Sequence, residues 1–306
     1  MSDEDWVLLI LLSILWGGTF FFAKIALAAI APMTLVFARV ALAALALGAA
    51  LRLWGIGLPR TWAVWRALSG MGFLNNVLPF SLIFWGQHAL PARSAASLAS
   101  VLNATTPVFA VVVAHFLTRD EKMNLRKIAG VLAGFAGVAV MLAPNISGGA
   151  AGADPKAASG MLACLSAALI YAFAGIYGRR FKAMGITPPQ VAFGQLTASS
   201  VMMAPVMLIA DRPWAMAMAM PGPAPVLAVL ALAIASTALA YVLYFRILAS
   251  VGATNLLLVT FLIPVTAILL SAFFHGERLG FIHLSGMALI ALSLAIIDGR
   301  LFFRRA

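Results

Sequence analysis

Long apolar stretches alternate with short polar or glycine-rich segments along the chain. A helix that crosses the hydrocarbon core of a bilayer needs about 20 apolar residues, and the pattern predicts ten helices of about this length. Their expected ranges are 7–28, 34–54, 67–87, 95–117, 127–143, 158–178, 191–210, 226–248, 254–274 and 281–298. Strands of an outer-membrane barrel would instead alternate between apolar and polar residues over about ten positions. The pattern therefore predicts an all-α integral membrane protein with ten transmembrane helices.

Several polar residues recur in the same order in both halves of the chain. A proline, a glutamate and a glycine follow one another at Pro107, Glu121 and Gly130, and again at Pro264, Glu277 and Gly286. Each half is expected to contain five helices. Because five is odd, the second half must cross the membrane in the opposite direction. We therefore predict two inverted five-helix repeats, residues 1–149 and 150–306, that form one transport domain, since this arrangement is typical of transporters.

Charge is scarce and unevenly placed. The chain is 64% hydrophobic and only 9% charged, well below the charged fraction of a soluble domain. Its net charge of +11 could suggest nucleic-acid binding, but no loop is long enough to form a folded basic face. The side that holds both termini carries fourteen basic residues, against four on the other side. Because basic loops stay in the cytoplasm, both termini are predicted to be cytoplasmic and no nucleic acid is expected as a partner.

Short motifs accompany the repeated series. The first helix carries Trp-Gly-Gly-Thr at 16–19 followed by Lys24, and the fourth carries Ser-Ala-Ala-Ser-Leu at 94–98 followed by Asn103. Together with the proline, glutamate and glycine of both halves, these motifs resemble the EamA-type branch of the drug/metabolite transporters. The resemblance implies ten helices, a bacterial inner-membrane location and movement of small metabolites, often outward. Within this branch, the chain is most similar to the bacterial aromatic amino-acid exporters.

Two features depart from the family pattern. Residues 118–120 are Thr-Arg-Asp, where the family usually has a small residue or glycine before the glutamate at 121. The second half also lacks a counterpart of the Trp-Gly pair at 16–17. The motif set is therefore asymmetric between the two halves.

Polar and aromatic residues lie at membrane depth on several predicted helices, where a polar side chain in contact with lipid would be costly. Amides and hydroxyls suit the ends of a zwitterion, and aromatic rings suit its side chain. We predict that six residues shape a substrate site: Trp16, Asn76, Phe80, Asn103, Tyr171 and Tyr244. The alternative for each residue is a role in joining helices, where one hydrogen bond contributes about 0.6–2 kcal/mol.

Two basic residues fall within predicted helices, at Lys24 and Arg39. Both lie in the outer half of their helix, where a long side chain can extend to water or pair at the helix end. That is the expectation for both residues. The alternative is that one of them binds a substrate carboxylate.

The distribution of polar residues also predicts the architecture. Helices one to four and six to nine carry the polar residues and are expected to surround a central cavity, with the fifth and tenth helices outside it. Gly130, Gly134 and Gly137 form a small-residue face on the fifth helix. Such a face favours close helix packing, or a weak contact in a homodimer.

The chemistry that the sequence lacks narrows its function. All nine acidic residues lie outside the predicted membrane core, so a buried carboxylate proton relay is not expected. Phosphate-binding loops, metal-ligand clusters and hydrolase nucleophile motifs are absent from the sequence. We therefore predict a transporter rather than an enzyme, with no cofactor or metal, whose partners are the lipid bilayer and a small-molecule substrate.

The expected function is export of aromatic and other neutral amino acids and related small metabolites by facilitative alternating access. One alternative is an exporter of other metabolites or drugs that exchanges them for protons or a second substrate. The other is a membrane-embedded enzyme, which would need a reactive pair of side chains within the bilayer.

Overall fold

The computed structural model describes residues 2–118, 122–147, 154–213, 221–256 and 259–298. These residues form ten helical spans: α1 (Asp3–Leu27), α2 (Pro32–Leu53), α3 (Trp62–Ala89), α4 (Ala95–Leu117), α5 (Leu125–Ser147), α6 (Pro155–Ala183), α7 (Pro188–Asp211), α8 (223–256), α9 (Val259–His275) and α10 (Phe281–Asp298). By length and composition, α1 to α8 can cross a membrane, and the apolar parts of α9 and α10 are shorter. The predicted all-α fold with ten membrane helices is confirmed. Glu121 and the centre of the linker, residues 148–153, lie outside the described residues.

Prolines and glycines set several helix boundaries. Pro32 and Pro188 are the first residues of α2 and α7, a position that needs no N–H donor. Gly55, Gly185 and Gly276 follow the ends of α2, α6 and α9 with φ angles of 66°, 67° and 62°. Glycine adopts this left-handed conformation without steric cost.

Three spans are irregular near their centres. α3 contains a π-helical stretch at Phe73–Val77, and α8 contains one at Ala231–Leu239. These stretches occupy equivalent spans of the two halves, and π-helical turns are frequent at functional sites. α4 is interrupted at residues 104–105, between Ala95–Asn103 and Thr106–Leu117. Irregular backbone at membrane depth is tolerated only where protein or a cavity surrounds it, so these segments indicate the interior of the bundle.

Helix packing relates the two halves by an approximate twofold axis. α1 packs against α9, and its equivalent α6 packs against α4. Likewise α2 packs against α8, and α7 packs against α3. The equivalent helices α2 and α7 also pack against each other, as do α5 and α10. Because equivalent helices are five spans apart, they run in opposite directions, as inverted repeats require.

The small-residue face of α5 packs against α10 of the same chain. A Cβ atom added to Gly137 would lie 2.7 Å from the carbonyl oxygen of Gly286, and one added to Gly286 would lie 2.7 Å from that of Gly137. The Ser293 hydroxyl donates a hydrogen bond of 2.6 Å to the Gly130 carbonyl oxygen. The expected close packing is confirmed. Since α10 already covers this face, it is not available to a second copy of the chain.

Candidate functional site

A cavity of about 690 Å³ lies between the two halves. Its walls come from α1 to α4 and α6 to α9, and within the described residues neither α5 nor α10 contributes to its lining. The predicted division into eight cavity-forming helices and two peripheral helices is confirmed. Small-molecule pockets typically measure about 300–1,000 Å³, so the cavity has room for a metabolite.

Aromatic side chains form one part of the cavity wall. The rings of Trp16 on α1 and Tyr244 on α8 have centroids 5.7 Å apart and planes inclined at 43°. Phe80 on α3 and Tyr171 on α6 also line the cavity. The four aromatic residues expected from the sequence therefore share one cavity. Their rings provide apolar area, and the tyrosines add hydroxyl groups that can hydrogen-bond.

The third helix presents Asn75 to the cavity, not the predicted Asn76. The Asn75 amide Nδ2 donates hydrogen bonds to Gln195 Oε1 at 3.1 Å and to Tyr241 Oη at 3.2 Å. Asn76 is fully buried, and its Nδ2 donates to Ser199 Oγ on α7 at 3.1 Å. The prediction for Asn76 assumed regular α-helical spacing. Both asparagines lie in the π-helical stretch, where the wider turn changes the direction of each side chain.

Arg39 lies on the cavity wall, although it was expected to extend to the membrane surface. It is only 4% exposed. Its Nε donates a hydrogen bond of 2.9 Å to Thr237 Oγ1, and its guanidinium carbon lies 4.0 Å from the centre of the Phe80 ring. α3 and α8 therefore enclose the side chain. A cation–aromatic contact and a hydroxyl group hold it in place.

Two polar atoms on the wall have no hydrogen-bond partner among the described residues. They are Asn103 Oδ1 and Ser236 Oγ. Asn103 ends the first part of α4, immediately before the helix is interrupted. Because buried polar atoms are normally paired, these two atoms can bind a polar group of a ligand.

The cavity also contains polar residues that the predicted set omitted: Arg39, Asn75, Gln195, Ser236, Thr237 and Tyr241. Some of them carried a signal in the sequence. Thr237, Tyr241 and Tyr244 are spaced by four and three residues, which places them on one face of a helix. Others, such as Ser236, have no distinguishing spacing. Ser236 lies in the π-helical stretch of α8, which the sequence pattern did not predict.

At one end of the bundle, Glu277 binds four donors. This end of the bundle contains the α1–α2, α3–α4 and α9–α10 loops, and we call it the far face. The opposite end, at which α1 begins, is called the N-terminal face. Glu277 Oε1 accepts from Lys24 Nζ at 2.7 Å and from the Ala96 N–H at 3.2 Å. Its Oε2 accepts from the Ser97 N–H at 3.0 Å and from Ser97 Oγ at 2.6 Å. We call Lys24, Ala96, Ser97 and Glu277 the far-face lock. The helix-end pairing expected for Lys24 is confirmed.

The lock keeps Glu277 ionised. Burial alone would raise the pKa of Glu277, but the hydrogen bonds from Lys24, Ser97 and Ala96 outweigh burial and lower the pKa below its ordinary range. The N-terminal turn of α4 also favours a negative charge. Because the pKa is lowered, the ionised Glu277 stabilises the folded state fully at neutral pH. This stabilisation is lost only as the pH falls through the lowered pKa.

Among the described residues, the cavity has an opening at one face of the bundle. It reaches the N-terminal face between α6 and α7, where Lys182 and Pro188 line it and are exposed. No described residue of the far-face loops lines it. Besides the lock, Gln87 Nε2 joins α3 to α1 by donating a hydrogen bond of 2.7 Å to the Phe20 carbonyl oxygen. As far as the described residues show, the structure is therefore open at the N-terminal face and closed at the far face.

Comparison with known proteins identifies the family. The EamA-like transporter family matches residues 6–143 and 158–298. An uncharacterized transporter of Bacillus subtilis (strain 168), YvbV, is 28% identical over 296 residues, which cover 95% of this chain and 90% of the relative. A probable amino-acid metabolite efflux pump of Escherichia coli (strain K12) is 24% identical over 317 residues, which cover 100% and 98%. One crystal structure shares the fold across the full length of both chains, with a TM-score of 0.67 at 22% identity. With its two matched halves, ten helices and central cavity, the chain belongs to the EamA-like transporter family.

Proposed function

We propose that the protein exports aromatic and other neutral amino acids, with related small metabolites, across the bacterial inner membrane by alternating access. The observation that carries this proposal is the composition of the cavity wall. Aromatic rings, amides and hydroxyls line the same space between two inverted halves, and transporters with inverted repeats bind substrates at that interface. Members of the family are transporters, which argues against the enzyme alternative.

Two further observations support the substrate class. The relative from Escherichia coli is named a probable amino-acid metabolite efflux pump. The wall combines Trp16 and Tyr244 with the unpartnered Asn103 Oδ1, a combination that suits an amino acid with an apolar side chain.

The distribution of basic residues orients the cavity. The loops of the N-terminal face carry most of the arginines and lysines, and basic loops remain in the cytoplasm. In this orientation the cavity is open to the cytoplasm, and the far-face lock closes it to the periplasm. The structure then corresponds to the state that receives a substrate from the cytoplasm, as export requires.

Cysteine labelling in intact cells tests the orientation. A membrane-impermeant thiol reagent is expected to label Gly149→Cys in the linker but not Gly57→Cys in the α2–α3 loop, which should react only after lysis. The native Cys164 is fully buried, so it should contribute little background. Labelling of Gly57→Cys in intact cells, with Gly149→Cys protected, would reverse the assignment.

The charges around the cavity also bear on coupling. Among the described residues that line it, none is an aspartate, a glutamate or a histidine. Glu277 is bound in the far-face lock, where its lowered pKa keeps it ionised. A proton therefore has no evident carrier in the cavity, and we propose that transport runs down the gradient of the amino acid.

Uptake into liposomes tests both the substrates and the coupling. Purified protein should equilibrate aromatic and other neutral amino acids across the membrane. A proton gradient should favour neither inward nor outward transport. Liposomes without protein provide the control. Uphill accumulation driven by a proton gradient would establish the antiport alternative, and transport of other metabolites but of no amino acid would contradict the proposed substrate class.

A further inference from the structure

Arg39 brings a positive charge to the cavity that no described carboxylate neutralises. The ion pairs in the described part of the chain are Lys24–Glu277 and Arg246–Glu4, and Arg39 belongs to neither. Arginine remains protonated in proteins, and an isolated charge at membrane depth is costly unless it faces water or finds a partner. Because Arg39 lies on the cavity wall, a negatively charged partner can reach it from the cavity.

The contacts of Arg39 leave its outer end free to bind. Nε is engaged by Thr237, and one face of the guanidinium group lies over Phe80. Neither Nη1 nor Nη2 is hydrogen-bonded to a described residue, so four N–H donors remain. Two of them lie parallel at the end of the group, with the spacing that matches the two oxygens of a carboxylate. The side chain is therefore fixed in position with its carboxylate-binding end unoccupied.

The other half of the protein places a neutral residue at the equivalent position. Arg39 and Gln195 each lie seven residues after the proline that begins their helix, Pro32 in α2 and Pro188 in α7. Each is hydrogen-bonded to a side chain in the π-helical stretch of a neighbouring span. Arg39 pairs with Thr237 in α8, and Gln195 pairs with Asn75 in α3. The two halves thus share this contact but differ in charge, because the first half places a cation at this position and the second half places a neutral amide there.

We propose that Arg39 binds the carboxylate of the substrate and so restricts transport to molecules that carry a carboxylate group. Nη1 and Nη2 hold its two oxygens, and the aromatic residues of the wall receive the remainder of the molecule. Neutral amides of the same shape bind poorly because they leave the guanidinium group without a negative partner. This inference rests on the proposed function, since it specifies the chemical group by which that cavity selects its substrates.

Ligand pairs that differ only in the carboxylate test the inference. The probes are phenylalanine with phenylalaninamide, and phenylacetate with phenylacetamide. Binding is measured by thermal stabilisation of the purified full chain in detergent. We expect each carboxylate to bind the wild type at least about tenfold more tightly than its amide. Arg39→Met should remove this preference, and Arg39→Lys should keep it with weaker binding, since lysine retains the charge without the planar fork.

The matched control is Arg52→Gln, which removes one positive charge from the exposed end of the same helix and should retain the wild-type preference. Equal binding of acids and amides to the wild type would overturn the inference, as would stabilisation by neither acid. A full preference in Arg39→Met would also overturn it. If Arg39→Met does not fold, the wild-type pairs and Arg39→Lys still decide.

The outcomes separate this inference from the proposed function. Stabilisation by phenylacetate but not phenylalanine, with no amino-acid uptake into liposomes, would support the carboxylate site and reject amino-acid export. Uptake of phenylalanine and phenylalaninamide at equal rates would support amino-acid export and reject the role of Arg39.

Discussion

Replacing Glu277 with glutamine is expected to lower the free energy of unfolding by about 3 kcal/mol and to open the far face of the bundle. Removing one partner of a buried ion pair costs about 3–5 kcal/mol. We expect the lower figure because the Lys24 side chain is 21% exposed and regains some hydration. Glutamine also replaces an oxygen acceptor with an amide donor opposite the N–H groups of α4. The loss should appear as a lower melting temperature in detergent.

Glu4→Gln provides the matched control. Glu4 pairs with Arg246 at the N-terminal face, and the side chains of both residues are more than 60% exposed. An exposed ion pair contributes at most about 1 kcal/mol, so the control should melt close to the wild type. Adding Lys24→Met to Glu277→Gln should recover part of the stability because no unpaired charge remains. Equal losses in the two single variants would contradict the importance of the far-face lock.

Opening of the far face can be measured by the reaction rate of a cysteine introduced into the cavity. A cysteine introduced at Ala104, on the cavity wall, should be protected from an impermeant reagent applied from the periplasmic side. Adding Glu277→Gln should make it react faster. No change in rate would show that the lock stabilises the fold without controlling access.

Asn103→Ala is expected to weaken apparent substrate affinity about 5- to 150-fold. Its Oδ1 atom is buried on the cavity wall without a partner among the described residues, so a bound substrate can satisfy it. Losing such a hydrogen bond costs about 1–3 kcal/mol when a polar group is left unpaired, and 1.4 kcal/mol corresponds to tenfold in affinity. Competition of unlabelled amino acid against labelled uptake in liposomes gives the apparent affinity.

Ser271→Ala is the control for this substitution. The Ser271 hydroxyl is also buried and unpartnered within the described structure, but it lies in α9 away from the cavity wall. Its removal should leave apparent affinity unchanged. If both variants weaken affinity equally, or if Asn103→Ala has no effect, then Asn103 does not bind substrate.

Much of the fold follows from the sequence because it depends on local properties. Apolar length predicted the ten spans, and the polar residues of eight spans predicted which helices surround the cavity. Trp16, Phe80, Asn103, Tyr171 and Tyr244 lie on the cavity wall as predicted. Their assignment as substrate-binding residues remains a prediction. In each case the approximate position of the residue along its helix was enough to place it.

The remaining features depend on tertiary contacts that the sequence does not express. Asn75 lines the cavity in place of the predicted Asn76 because a π-helical turn widens α3, and no residue pattern predicts that turn. Hydropathy gave the depth of Arg39 in the membrane but not the helices that cover it. The pairing of Lys24 with Glu277 joins residues 253 positions apart. It depends on the packing of α1 against α9, which local sequence patterns do not predict.

Exchange of phenylalanine across sealed liposomes tests the central claim most directly, namely that the cavity carries amino acids by alternating access. Liposomes that contain the purified protein are loaded with excess unlabelled phenylalanine and diluted into a trace of labelled phenylalanine, without a proton gradient. The account predicts that labelled phenylalanine accumulates transiently inside, above its external concentration, and that unloaded or protein-free liposomes show no such accumulation. Failure of the loaded liposomes to accumulate label, for phenylalanine and for every other neutral amino acid, would contradict it.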